Sequence, residues 1–183
     1  MYCPNDSTII YKSMISNDLR NDMLEYYLSV NNIFSDNGSV YFPKRRVLKH
    51  LPDKYIQELK KELMITMDQY YLKFIPNTDY IRIYQSNYGI VKPHKDVPTK
   101  PTDTHTCLIY LTDDFYGGVL SVKLPRTEIH FEEYGEIDKK HLTITMEPRV
   151  SYGIIFPKEL VHFNDELLGG DKIILLIDCE III

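Results

Sequence analysis

From residue 78 onward the chain is a succession of short segments rich in β-branched and aromatic residues, the first of which, 80–84, alternates them with polar ones. The period of two marks strands with one face buried, since successive side chains of an extended chain point to opposite sides. Residues 80–84 show this alternation, and 89–92, 106–112, 119–124, 142–146, 151–156 and 172–179 also read as strands. Between 106–112 and 119–124 stand Asp113-Asp114 and Gly117-Gly118, which suggest two strands joined by a glycine-containing turn. About seven or eight short strands separated by turn residues fit a sandwich or jelly-roll barrel.

The first third reads differently. Ser16, Asn17 and Asp18 are good N-cap residues, followed by Leu19, Met23, Leu24, Tyr27 and Leu28 at helical spacing. A second helix is expected from Leu51-Pro52-Asp53, with Pro52 in its first turn and an apolar stripe of Tyr55, Ile56, Leu59, Leu63, Met67 and Tyr71. Residues 31–49 read as loop with a short strand at 39–42. Helices followed by strands make the chain α+β: a double-stranded β-helix (jelly-roll) core with N-terminal helices packed on one sheet. At 183 residues it is expected to form one domain, residues 1–183, with a helical support region at 1–77 and the core at 78–183.

A net charge of −5 with 26% charged residues argues against a nucleic-acid partner or a membrane surface, which call for a basic patch. Cys3, Cys107 and Cys179 are odd in number and widely spaced, so neither a disulfide framework nor a zinc site is expected. With no signal peptide legible at the N-terminus and no apolar run near the ~20 residues that span a bilayer, the expected location is cytoplasmic.

Chemistry enters with His94-Lys95-Asp96, then His162 and Lys172. Two histidines and an aspartate can grip one face of Fe(II) and leave the other positions open. His94 and Asp96, at i and i+2 of an extended segment, can face one ion. His162 follows the 151–156 strand and can enter the barrel mouth from a neighbouring one. Lys172 leads a long apolar run: it is either the strand's solvated end or an inward cation, and an inward one needs an anion partner such as the far carboxylate of a 2-oxo acid. Among six histidines and 26 acidic residues a lone His-x-Asp carries little weight, so context decides. His50, His105, His130 and His141 lack a partner at ligand spacing and read as surface or loop residues.

That context is an ordered set of motifs. Tyr84 lies in a strand, followed by Gly89 and Pro93-His94-Lys95-Asp96. Then come residues 106–113, ending Tyr-Leu-Thr-Asp, and Gly117-Gly118-Val119-Leu120. Pro148-Arg149, Gly153 and Ile155-Phe156 precede His162, and Gly170-Asp171-Lys172 closes the set. Over residues 80–177 the chain resembles the prolyl 4-hydroxylase-like Fe(II)/2-oxoglutarate dioxygenases. The resemblance implies that His94, Asp96 and His162 ligate Fe(II), and that Lys172 and Tyr110 hold the distal carboxylate of 2-oxoglutarate. It also implies that Tyr84 lines the co-substrate or substrate side, although Tyr84 reads equally, and Tyr110 less readily, as a core aromatic. O₂ would be the second co-substrate and ascorbate a supporting reductant.

The chain departs from the family at Ile174, where many relatives carry Ser or Thr two positions after the basic residue. The carboxylate at Asp96 favours hydroxylation over halogenation. The implied substrate is peptidyl proline in an extended segment, with a free amino acid or small metabolite as the alternative. A non-catalytic jelly-roll binding module is the rival from another class. Residues 97–104, polar and proline-rich directly after the ligands, are either a lid over substrate or an ordinary connector.

Overall fold

Two antiparallel sheets enclose an apolar layer, and two helices cover the outer face of the larger sheet. This computed structural model describes residues 9–30, 34–36, 45–124 and 142–182. The described elements are β1 (Ile10–Ser13), α1 (Asn17–Ser29), β2 (Phe34–Asp36), β3 (Arg45–Leu48), α2 (Asp53–Asp68), β4 (Lys73–Ser86) and β5 (Gly89–His94). They continue with β6 (His105–Tyr110), β7 (Tyr116–Gly117), β8 (Leu120–Leu124), β9 (Leu142–Met146), β10 (Tyr152–Pro157), β11 (His162–Gly169) and β12 (Lys172–Ile182). The major sheet runs β1-β10-β6-β12-β4-β3-β2, and the minor sheet β5-β11-β8-β9, with β7 on β11.

Ser16 caps α1: its hydroxyl accepts from the Leu19 amide at 3.2 Å, while the Glu62 carboxylate on α2 accepts from both the amide and the hydroxyl of Ser16. One contact thus caps one helix and ties it to the other. Leu19, Met23 and Tyr27 of α1 and Tyr55, Leu59, Leu63 and Met67 of α2, stepping by four, are buried in one cluster with Ile81, Ile83, Ile109, Leu175 and Ile177 of the major sheet. Each such side chain contributes roughly 1.5–3 kcal/mol on full burial. The opposite face of the same strands supplies Leu108, Tyr110, Ile154 and Phe156, which pack on Leu120, Val122 and Met146 of the minor sheet. Strands buried on both faces explain why β6 reads as a continuous apolar run.

Several expectations need correction. Pro52 stands at the N-cap of α2, one position before the helix, and α2 ends at Asp68. Tyr71 is therefore off the apolar stripe, 93% exposed and at φ 59°. Residues 45–48 form a strand rather than loop, while 39–42 lie outside the described residues. The segments 106–112 and 119–124 are both strands, and the glycine-containing connection between them passes from the major sheet, which holds β6, to the minor one, which holds β8. Gly117 and Gly118, both at positive φ, make that crossing; a Cβ on Gly117 would stand 2.0 Å from the Glu166 carbonyl oxygen. β11 has no alternating apolar pattern and was not anticipated. Residues before 78 also give strands β1, β2, β3 and the start of β4 to the major sheet. His105 is a buried residue opening β6, its Nδ1 2.8 Å from the Thr104 hydroxyl; His50 is exposed, and His130 and His141 lie outside the described residues.

Candidate metal centre and anion recess

His94 ends β5 and His162 begins β11, and the register of the two strands sets them directly opposite. Their rings lie 4.2 Å apart, and both Nε2 atoms approach Asp96 Oδ1, at 3.7 Å from His94 and 3.6 Å from His162. The three donor atoms lie within 4.8 Å of one another, the one such group among the described residues. Each ring is oriented by its far nitrogen: His94 Nδ1 is 2.8 Å from the Lys92 carbonyl and His162 Nδ1 3.1 Å from the Leu160 carbonyl. With Nδ1 donating, both Nε2 lone pairs face the carboxylate, an arrangement suited to a shared cation.

Asp96 is fixed at both ends. Its amide donates to the Lys158 carbonyl at 3.1 Å, and its Oδ2 accepts from the Thr106 hydroxyl on β6 at 2.6 Å. Oδ1 is left for an ion. Burial raises the carboxyl pKa, but His162, the Thr106 hydroxyl and the Lys158 charge outweigh it and bring it to about 2. Burial and the neighbouring His162 lower the pKa of His94. At neutral pH His94 and Asp96 are therefore in their ligating forms.

The trio lines a cavity of about 530 Å³ between the sheets, whose apolar wall includes Leu108, Leu120, Phe156, Ile174 and Leu176. A smaller recess adjoins it, sharing Arg45, Tyr84, Val91, Asn164 and Ile174. Lys172, 4% exposed, points into that recess. Its ammonium donates to the Gly118 carbonyl, and the Asn164 amide oxygen, turned to face it, accepts at 2.7 Å. The rings of Tyr110 and Phe115 flank it, each with its centroid 5.8 Å away. No carboxylate ion-pairs with it among the described residues. Burial lowers its pKa to about 7, with Asp165 pulling the other way.

Tyr110 is fully buried on β6, and its hydroxyl has no hydrogen-bond partner. An orphaned donor beside a buried cation is what an anion such as a distal carboxylate would satisfy. Ile174 on β12 pairs with Tyr110 on one side and Tyr84 on the other. The position without Ser or Thr is thus flanked by two phenols in one row across the sheet. Tyr84 is buried, with the Arg45 guanidinium 4.2 Å over its ring.

The segment of residues 97–104 is tied down. The Thr99 hydroxyl lies 2.7 Å from the carboxylates of both Asp103 and Asp178. Asp103 also accepts from Asn77 and from the Lys100 amide. Asp178 on β12 pairs at 2.5 Å with Lys158, both nearly inaccessible, and the Lys158 amide donates to the Thr104 carbonyl. These bonds favour a fixed connector over a lid. Removing one partner of a buried ion pair costs about 3–5 kcal/mol. Asp178→Ala is therefore expected to lower unfolding free energy by that order in urea titrations and to speed hydrogen exchange across 97–104. Wild-type stability would contradict the role of the pair.

Sequence reasoning found the trio and Lys172 but missed Thr106, Asn164 and the Lys158–Asp178 pair. Asn164 stands two residues after His162, so the alternation of β11 would have revealed it had that strand been recognised.

Among the described residues no helix is long and apolar enough to cross a membrane. No protein-family model and no curated protein sequence matches the chain. Solved structures do. A 2OG-Fe(II) oxygenase family oxidoreductase from Burkholderia pseudomallei aligns with a TM-score of 0.67 and 12% identity over 94% of this chain and 84% of its own. A Pseudomonas putida prolyl-4-hydroxylase aligns at 0.65 and 12% identity, covering 95% and 92%. A prolyl hydroxylase from Trichoplax adhaerens, solved with a hypoxia inducible factor oxygen degradation domain peptide fragment, aligns at 0.63 and 12% identity, covering 97% and 84%. Likeness at such low identity is likeness of fold: the chain has the double-stranded β-helix fold seen in 2OG-Fe(II) oxygenases, prolyl hydroxylases among them.

Proposed function

We propose that this protein is an Fe(II)- and 2-oxoglutarate-dependent dioxygenase that hydroxylates a substrate C–H bond, with peptidyl proline as the target. One observation carries the reading. A two-histidine, one-carboxylate trio lines a cavity that adjoins the recess of a buried lysine, which has no carboxylate partner among the described residues and is flanked by the buried Tyr110 ring. A metal-binding module would need the first of these features; only a ligand with a remote anionic end explains the second.

His94 Nε2, His162 Nε2 and Asp96 Oδ1 would hold the iron, with Lys172 and Tyr110 receiving the distal carboxylate. When bound, iron and 2-oxoglutarate supply the oxygen activation, with O₂ as the other co-substrate. The chain's residues orient and shield. Thr106 and the Lys92 and Leu160 carbonyls fix the three ligands. Lysine contributes a point charge rather than a fork, so flanking hydroxyls suit it. Leu108, Phe156, Ile174 and Leu176 keep the interior apolar, which strengthens the electrostatic contacts made there.

We take the whole chain as the catalytic unit, residues 1–77 as the support region and 78–183 as the core, acting in the cytoplasm. The proline target is supported by the prolyl hydroxylases among its structural neighbours. The test is a panel of proline-containing peptides with Fe(II), 2-oxoglutarate and ascorbate, read by mass spectrometry. A +16 Da product dependent on 2-oxoglutarate is expected. Products confined to free amino acids or other small metabolites would move the substrate to that class. Absence of iron binding would leave only a binding module.

A further inference from the structure

One face of β11 carries both a metal donor and an acceptor for the buried lysine. Its register with β8 is regular from His162 to Asn164, so side chains two apart point the same way. His162 belongs to the trio, and Asn164, half-buried, lines both the metal cavity and the lysine recess. Across the cavity, Lys172 and Ile174 stand at the same step on β12 of the major sheet. Position 174 also lines both spaces, but its side chain is apolar and offers the ammonium no hydrogen bond.

Of the three ammonium hydrogens, one goes to the Gly118 carbonyl and one to the Asn164 amide oxygen. Both acceptors are neutral. The Asn164 amide nitrogen donates in turn to the Phe163 carbonyl at 3.2 Å, which fixes the oxygen toward the lysine. Among the described residues Asp165 is the one acid lining the recess; it is exposed, and its carboxylate accepts from the Val119 amide. Neutral acceptors solvate a buried cation without cancelling its charge, and one hydrogen is left over. The recess has a volume of about 40 Å³, room for about three waters or one carboxylate. Asparagine and aspartate have the same shape. An aspartate at 164 would reach the ammonium as the amide oxygen does, pair with it and leave the recess neutral.

We propose that Asn164 is the positioning residue that keeps Lys172 oriented, charged and free of a carboxylate partner, and so makes the site select a 2-oxo acid with a distal carboxylate. It does through an amide what a hydroxyl at position 174 would otherwise do. This rests on the function proposed above and assigns the co-substrate selectivity of that site to a residue outside the trio.

The experiment measures binding without turnover, by calorimetry on Zn(II)-loaded protein. Its probes are 2-oxoglutarate and 2-oxopentanoate, which has a methyl group where the distal carboxylate stands. Wild-type protein is expected to prefer 2-oxoglutarate by at least about 30-fold. In Asn164→Asp that preference should fall below about threefold, with 2-oxopentanoate binding changed by less than about twofold. In Asn164→Ala it should fall about tenfold, the worth of one hydrogen bond to a charged group. Adding Ile174→Thr to Asn164→Ala should return at least about threefold of it, because residues 172 and 174 share a face. Asn164→Ala and its rescue decide the question should Asn164→Asp not fold. A preference within about twofold of wild type in either single variant, equal loss of both ligands, or no gain from Ile174→Thr overturns the proposal. Each of these leaves the wild-type preference, and with it the oxygenase reading, standing. Wild-type protein that binds neither acid, or both alike, fails that reading and the proposal together.

Discussion

Replacing His94 with alanine is expected to abolish both Fe(II) binding and succinate formation from 2-oxoglutarate. The trio is the one such donor group among the described residues, and no other described histidine belongs to it. The loss should exceed the roughly 10–100-fold that follows removal of an outer-shell partner. Thr106→Ala, which frees Asp96 Oδ2 but leaves all three donors, supplies that comparison. Anaerobic Fe(II) or Co(II) titration followed by absorbance checks both variants, and normal metal uptake by His94→Ala would remove the trio from the mechanism.

Lys172→Ala carries the other large effect. Removing one member of a buried charge pair costs 2–5 kcal/mol or more, so the 2-oxoglutarate requirement is expected to rise by about 30-fold to several thousand-fold, with Fe(II) binding nearly intact. The lysine also sets a pH dependence. Its pKa falls from 10.5 in the unfolded chain to about 7 in the fold because burial disfavours the ammonium. Between those values the unfolded chain binds the extra proton, so ligand-free stability rises with pH through that window and is lowest below it. A dicarboxylate needs the ammonium, so its binding above pH 7 draws in a proton and weakens as pH rises. Calorimetry at pH 8 in two buffers of different ionisation enthalpy should register that uptake, and no uptake would mean that Lys172 is not the anchor. Lys172→Met should remove the slope and raise ligand-free stability at pH 6.

Much of this was legible in the sequence because its signals are local. A histidine and an aspartate two residues apart on an extended chain must face the same way, and an N-cap serine before an apolar stripe defines α1. Lys172 ahead of an apolar run offered two orientations, and the inward one holds. What stayed hidden depends on contacts distant in sequence. β11 is polar along much of its length because it borders the cavity, so its alternation carries no strand signature. The glycines at 117–118 marked a turn between two strands, and only the partners of β6 and β8 show that the chain changes sheets there. The Lys158–Asp178 pair joins residues 20 apart through the fold, which no spacing rule anticipates.

β12 has one more consequence, for the order in which the molecule can form. It is the last described strand, yet it lies between β4 and β6 near the middle of the major sheet. Until it docks, those two strands present open edges to any other chain, and closure must await contacts of long sequence separation, which slow folding. Lys172 is the first residue of that strand. An anion bound there would grip the piece that completes the sheet, and by mass action would stabilise the folded chain.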